Sequence, residues 1–178
     1  AKFQNGFVND SVPWGEQTAL RGIGESCMRG TGAPVLYLDF DGVLHHENVF
    51  WHPNIGPYIS GAPDGYVLFQ HAELLEKMLQ PYPKVEIVLS TSWVRRYGCA
   101  SAAKQLRPSQ RARVVGATFR ARMGVQDFLA KPRGMQVLDD ALRRKPKSCL
   151  ALDDDGVGWP EGYPAKLIKT HPHEGSVD

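Results

Sequence analysis

The run Val35-Leu-Tyr-Leu-Asp-Phe-Asp-Gly-Val-Leu44 limits what this chain can fold into more than any other segment. Four consecutive apolar residues, introduced by Pro34, suit a strand buried on both faces, as in a parallel sheet. The strand stops at two carboxylates, Asp39 and Asp41, and Gly42 then permits a sharp turn. Two more apolar runs end in polar residues. Val85 to Leu89 runs into Ser90-Thr91-Ser92, and Ser148 to Leu152 runs into Asp153-Asp154-Asp155-Gly156. Shorter strands are expected at 113–115 and 165–170.

Helical spacing fills the intervals. Leu74, Leu75, Met78 and Leu79 share one face of a helix over 71–80, ended by Pro81 and Pro83. A second helix is expected from Trp93 to Leu106, stopping before Pro108. A third opens at Pro132 and carries Met135, Leu138 and Leu142 toward Pro146. Strands alternating with helices predict an α/β fold, a Rossmann-like parallel sheet flanked by helices. In such a sheet the three polar clusters land on one edge, where ligands bind. Several carboxylates meeting there repel one another unless a cation lies among them, and an all-oxygen set suits Mg²⁺.

At 178 residues the chain is one domain long. Residues 1–33 show no sustained period and many glycines, so they read as an irregular extension ahead of a catalytic domain at 34–178. Residues 45–70 are rich in aromatics, Pro and Gly and suggest a small hairpin-like flap. Neither interval between the strands has room for a large cap. His45 and His46 are expected to be structural or solvated ahead of touching substrate. Trp51, Trp93 and Trp159 are expected in core or lid packing ahead of base stacking. No run approaches the ~18 apolar residues of a membrane span, and no basic-then-apolar leader is visible. Cys27, Cys99 and Cys149 are odd in number and widely spaced, which fits reduced thiols, and the expected compartment is the cytoplasm.

Charge is uneven along the chain. From Arg95 to Lys147 there are 14 Lys/Arg against Asp127, Asp139 and Asp140, a net of +11, while the whole chain carries +2. A block this basic attracts anionic polymers such as nucleic acid. It is equally explained by solvated helix faces that flank an acidic metal site.

Taken with its context, Asp-Phe-Asp-Gly-Val after an apolar strand resembles the first motif of the haloacid dehalogenase (HAD) superfamily. The strand ending in Ser-Thr-Ser resembles the second motif, and Leu-Ala-Leu-Asp-Asp-Asp resembles the fourth. Order and spacing agree from about residue 34 to 170. The set Leu-Asp-Phe-Asp-Gly-Val-Leu-His, Ser-Thr-Ser-Trp and Ala-Leu-Asp-Asp-Asp is similar to the small HAD domains of Swiss Army Knife RNA repair proteins. One departure is Val94, which stands where many members follow the Trp with Arg; here Arg95 and Arg96 come next.

The resemblance implies a Mg²⁺-dependent phosphatase that works through an aspartyl-phosphate. It casts Asp39 as nucleophile and Asp41 as general acid and base. Asp39, Asp153 and Asp154 become metal ligands, joined by the backbone carbonyl of Asp41. Thr91 is expected to hold the transferring phosphoryl group, with Ser90 as alternative, and Ser92 and Gly42 to line the phosphate. Arg133 is the expected charge-stabilising cation, and Lys131 the alternative. An uncapped site and a basic block favour phosphorylated nucleic-acid ends or nucleotides as substrate. Small phosphometabolites, phosphoproteins, or a binding module without turnover are the competing readings.

Overall fold

The computed structural model describes residues 32–160, 165–171 and 173. The extension expected at 1–33 therefore lies almost wholly outside the described residues. The elements in chain order are β1 (Pro34–Leu38), β2 (Val49–His52), β3 (Gly56–Ile59), α1 (Ala72–Leu79) and β4 (Glu86–Leu89). There follow α2 (Ser92–Tyr97), α3 (Cys99–Ala103), α4 (Pro108–Arg111), β5 (Val114–Ala117), α5 (Val125–Leu129), α6 (Arg133–Arg144), β6 (Ser148–Asp153) and β7 (Ala165–Lys169).

Five strands form one parallel sheet in the order β5-β4-β1-β6-β7. The α/β reading of the sequence is what the chain forms. Alternation along β1 divides the core. Leu36 and Leu38 pack toward α1, α2 and α3, with Ile87, Leu75, Leu79 and Trp93. Val35 and Tyr37 pack on the other face with Val88, Ala151 and, from α6, Val137 and Ala141. Burying each such aliphatic side chain contributes about 1.5–3 kcal/mol.

Winding starts at β1, proceeds outward through β4 to β5, then returns to β6 on the other side of β1. The reversal lies between β1 and β6, the place where open α/β sheets hold ligands. Register brings the polar clusters level there. Leu38 is paired with both Leu89 and Leu152, so Asp39, Ser90 and Asp153 are the next residues along three adjacent strands.

A buried polar anchor seats α6. The Tyr37 hydroxyl donates to Asp140 at 3.2 Å, and Asp140 also accepts from Arg143 and Arg144. Burial, reinforced by the neighbouring Asp140 charge, pushes the Tyr37 phenol well above its ordinary range.

Two expected elements differ. The helix from Trp93 to Leu106 is interrupted at Gly98, whose φ of 82° ends α2 before α3 begins. Pro132 is the residue before α6 and not its first turn; it is extended, and the helix starts at Arg133. The short helices α4 and α5 have no sustained apolar period to betray them. The flap is a real two-stranded hairpin, β2 paired antiparallel to β3. With α1 it is all the regular structure between β1 and β4, so the described residues carry no large cap there.

Candidate active site

Asp39 follows the last residue of β1 and is 3% exposed. Its Oδ1 accepts from the Phe40 N–H at 2.6 Å, and its Oδ2 from Arg133 Nη2 at 3.0 Å. Thr91 lies close enough to Asp39 to favour its charged form, and its hydroxyl accepts from the Trp93 N–H at 3.4 Å. Arg133 also places Nε 3.4 Å from Asp153 Oδ2 and donates through Nη1 to the Ser90 carbonyl. One guanidinium thus ties together the ends of β1, β4 and β6.

Arg133 is aimed by its surroundings. The loop after β6 presses on the first turn of α6, with Gly134 N–H donating to the Val157 carbonyl at 3.1 Å. A Cβ on Gly134 would lie 2.3 Å from the Gly158 carbonyl oxygen, so only glycine allows that approach. Lys131, the alternative cation, stands just outside the helix and pairs with Asp139 instead.

Carboxylate oxygens of Asp39, Asp153 and Asp154 lie within 4.8 Å of one another. Asp154 comes close because residue 42 is glycine. A Cβ there would sit 2.4 Å from Asp154 Oδ2, and its φ of 71° also disfavours any other residue. The turn is tied down from β7, where Thr170 Oγ1 donates to the Gly42 carbonyl at 2.6 Å.

Burial is the largest cause that pushes Asp39 up to about 7, offset partly by Arg133 and reinforced by Asp41. Asp153 is pushed up to about 8, first by burial and then by Asp39. Asp154 is raised too, chiefly by burial. Burial works against the charge on Arg133, but Asp39 and Asp153 outweigh it and raise its pKa. One arginine against three carboxylates leaves negative charge uncompensated. Among the described residues Asp153 Oδ2, buried, receives no hydrogen bond and has only the Arg133 Nε ion pair at 3.4 Å beside it. A buried oxygen without a hydrogen bond inside an all-oxygen cluster is what a hard divalent cation satisfies, so the residues fit Mg²⁺.

Asp41 lies apart from that group. Its Oδ1 accepts from Trp93 Nε1 at 2.9 Å and from His45 Nε2 at 3.1 Å; its Oδ2 accepts from Ser92 Oγ at 3.2 Å. His45 is fully buried, and its Nδ1 accepts from the Phe69 N–H at 3.3 Å. That leaves the proton on Nε2, pointing at Asp41. The arrangement depends on a tight reversal, with Gly42 N–H donating to the His45 carbonyl at 2.9 Å.

Comparison with the expected roles is mixed in detail. Asp39, Asp153, Asp154, Thr91 and Arg133 converge. The carboxylate of Asp41 does not join the acidic group, so ligation by Asp41 rests on its backbone carbonyl alone. Ser92 addresses Asp41. Ser90 is buried with an unpartnered hydroxyl. His45, expected to be structural or solvated, is buried and touches Asp41; Trp93 packs in the core as expected and also turns its Nε1 to Asp41. Thr170 carries no signal in its sequence context.

A parallel sheet with carboxylates gathered at its switch point, closed by an arginine and flanked by a small flap, is the arrangement of a HAD-like domain, a class of phosphatase-type hydrolases. More narrowly, the chain belongs to the family described as the HAD domain in Swiss Army Knife RNA repair proteins, whose model matches residues 35–176. No curated protein and no solved structure matches the chain. Among the described residues no helix is long and apolar enough to cross a membrane.

Proposed function

We propose that this protein is a Mg²⁺-dependent phosphatase that removes terminal phosphate from nucleic-acid ends or nucleotides through an aspartyl-phosphate at Asp39. One observation carries the reading: Arg133 contacts both Asp39 and Asp153 inside a cluster of three carboxylates whose charge one guanidinium does not balance. Mg²⁺ held by Asp39, Asp153, Asp154 and the Asp41 carbonyl would neutralise phosphoryl oxygens.

The chain's own residues perform the steps. A carboxylate oxygen of Asp39 attacks phosphorus as the ester P–O bond breaks, and Asp41 gives its proton to the leaving oxygen. Water then attacks the phosphoryl group, Asp41 takes its proton, and the bond to Asp39 breaks to release inorganic phosphate. Arg133 and the Thr91 hydroxyl hold the phosphoryl oxygens as charge builds on them. Trp93, His45 and Ser92 fix the direction in which Asp41 offers its proton.

The substrate class is supported by the open site and by charge at its mouth. At least six of the fourteen basic residues of 95–147 are tied to carboxylates or carbonyls, among them Arg107, Arg113, Lys131, Arg133, Arg143 and Arg144. Arg95 is exposed, has no partner among the described residues, and lines a cavity of about 290 Å³ with Thr91, Ser92, Lys131 and Arg133. The family's occurrence in RNA repair proteins points the same way.

The test is phosphate release from a phosphorylated oligonucleotide and from a small alkyl phosphate, in Mg²⁺, by wild type and Asp39→Asn. Turnover by wild type alone, falling steeply with salt on the oligonucleotide, is expected. Turnover of small phosphates only, flat with salt, supports a metabolite phosphatase. No turnover of either refutes the enzyme reading.

A further inference from the structure

The hairpin carries the least expected surface of the molecule. Phe50, Trp51, Ile55 and Tyr58 are 52%, 41%, 68% and 36% exposed. Four large apolar side chains left in water within nine residues exceed the scatter normal for a surface. Strand register puts Phe50 opposite Tyr58 and Trp51 opposite Pro57, so the two pairs occupy opposite faces. On the Trp51 face lies Arg96, its guanidinium 4.9 Å from the indole centroid.

Position ties this pair to the phosphoryl site. Arg96 is four residues beyond Ser92 on α2, about one helical turn, and Ser92 donates to Asp41. At its other end the hairpin springs from Glu47, near enough to Asp154 for its charge to act there. The hairpin therefore reaches from the edge of the acidic cluster to the helix that holds Asp41. Arg95, one residue before Arg96, faces the adjoining cavity.

Resting on the phosphatase reading above, we infer that Trp51 and Arg96 form a subsite for the base of the nucleotide whose phosphate is removed. An indole face and a planar guanidinium are the surfaces on which unstacked bases lie. A sugar phosphate would call for hydrogen-bonding groups where Trp51 and Pro57 stand. An acyl chain would not suit a rim holding two arginines. Because the base must leave its own stack to reach the hairpin, the substrate end is single-stranded.

The experiment measures equilibrium binding in Mg²⁺ by full-length Asp39→Asn protein, so that turnover does not consume the probe. Two pairs of phosphorylated single-stranded oligonucleotides are used, one 5′- and one 3′-phosphorylated. Within each pair the terminal nucleotide is either intact or abasic. The intact end is expected to bind about 5- to 150-fold more tightly in at least one pair, the range for stacking one base. Adding Trp51→Ala abolishes that preference without changing affinity for the abasic end, and Trp51→Phe keeps part of it. Equal affinity within both pairs, or a preference that survives Trp51→Ala, overturns the inference. Wild-type turnover is scored separately. Turnover without base preference removes the subsite and leaves the phosphatase, whereas base preference without turnover does the reverse.

Discussion

Asp39 and Asp41 leave the same strand two residues apart and enter opposite environments. The side chain of Asp39 is 4% exposed and faces two other acids and an arginine. That of Asp41 is 28% exposed and is surrounded by neutral donors from Trp93, His45 and Ser92. Like charges crowded around Asp39 suit the cation and phosphoryl group that the proposed mechanism places there. Donors around Asp41 orient the carboxyl that the same mechanism uses to move a proton. On that proposal one strand end supplies two acids with separate roles, as paired carboxylates do when they share a reaction.

The sharpest break in that comparison is Asp41→Asn. It is expected to lower kcat about 10²–10⁴-fold on alkyl phosphates, whose leaving oxygen needs a proton. Departure of an aryl oxide should be nearly unaffected, as a pre-steady-state burst would show. Equal loss in the first step for both leaving groups contradicts the assignment.

Next in size is Arg133→Ala, expected to reduce kcat/KM about 10²–10³-fold by removing a charge on the phosphoryl oxygens. Lys131→Ala should stay within about twofold, since its partner is an exposed Asp139 and such pairs are weak. A large Lys131 effect would reassign the cation.

A smaller change sharpens the Asp41 side. His45→Phe removes one donor to Asp41 and is expected to cost about tenfold on alkyl phosphates, the scale of a hydrogen bond to a charged group. Steady-state kinetics with leaving groups of graded pKa decides it. A purely structural role for His45 would depress every substrate equally.

Much of the Asp39 side was legible in the chain because strand ends follow simple rules. Apolar runs stop where the sheet edge meets solvent, and parallel register then sets Asp39, Ser90 and Asp153 side by side. The Asp41 side was not legible in the same way. His45 reaches Asp41 only because the chain reverses at Gly42, and sequence spacing does not reveal the path of a turn. Trp93 has the apolar context of a core residue, and it does pack on Phe40 and Phe69 while its one N–H faces the site. Arg133 and Lys131 are equivalent in composition. The start of α6 separates them, with Gly134 seating one and Asp139 holding the other. Part of the basic block serves the fold, since Arg113 donates to carbonyls at the end of α1 and in its following turn.

The smallest effect is on stability. Burial and mutual repulsion push Asp39 and Asp153 well above the usual 3.8 on folding, up to about 7 and about 8. Groups raised on folding contribute stability below their unfolded pKa and lose it as pH climbs through the folded values. In EDTA the melting temperature should therefore fall between pH 5 and pH 8. Mg²⁺ needs ionised ligands and should raise it more at pH 8 than at pH 5. Asp153→Asn should flatten the EDTA slope; an unchanged slope would place its source elsewhere.

Division of labour between the two carboxylates is tested most directly by trapping. Asp41→Asn protein is mixed with an aryl phosphate and Mg²⁺, quenched in acid and digested, and its peptides are examined by mass spectrometry. Without a base to activate water, phosphate should accumulate on the peptide containing Asp39. Absence of that adduct while aryl oxide is released, or phosphate attached at another residue, would contradict Asp39 as the nucleophile and Asp41 as its partner.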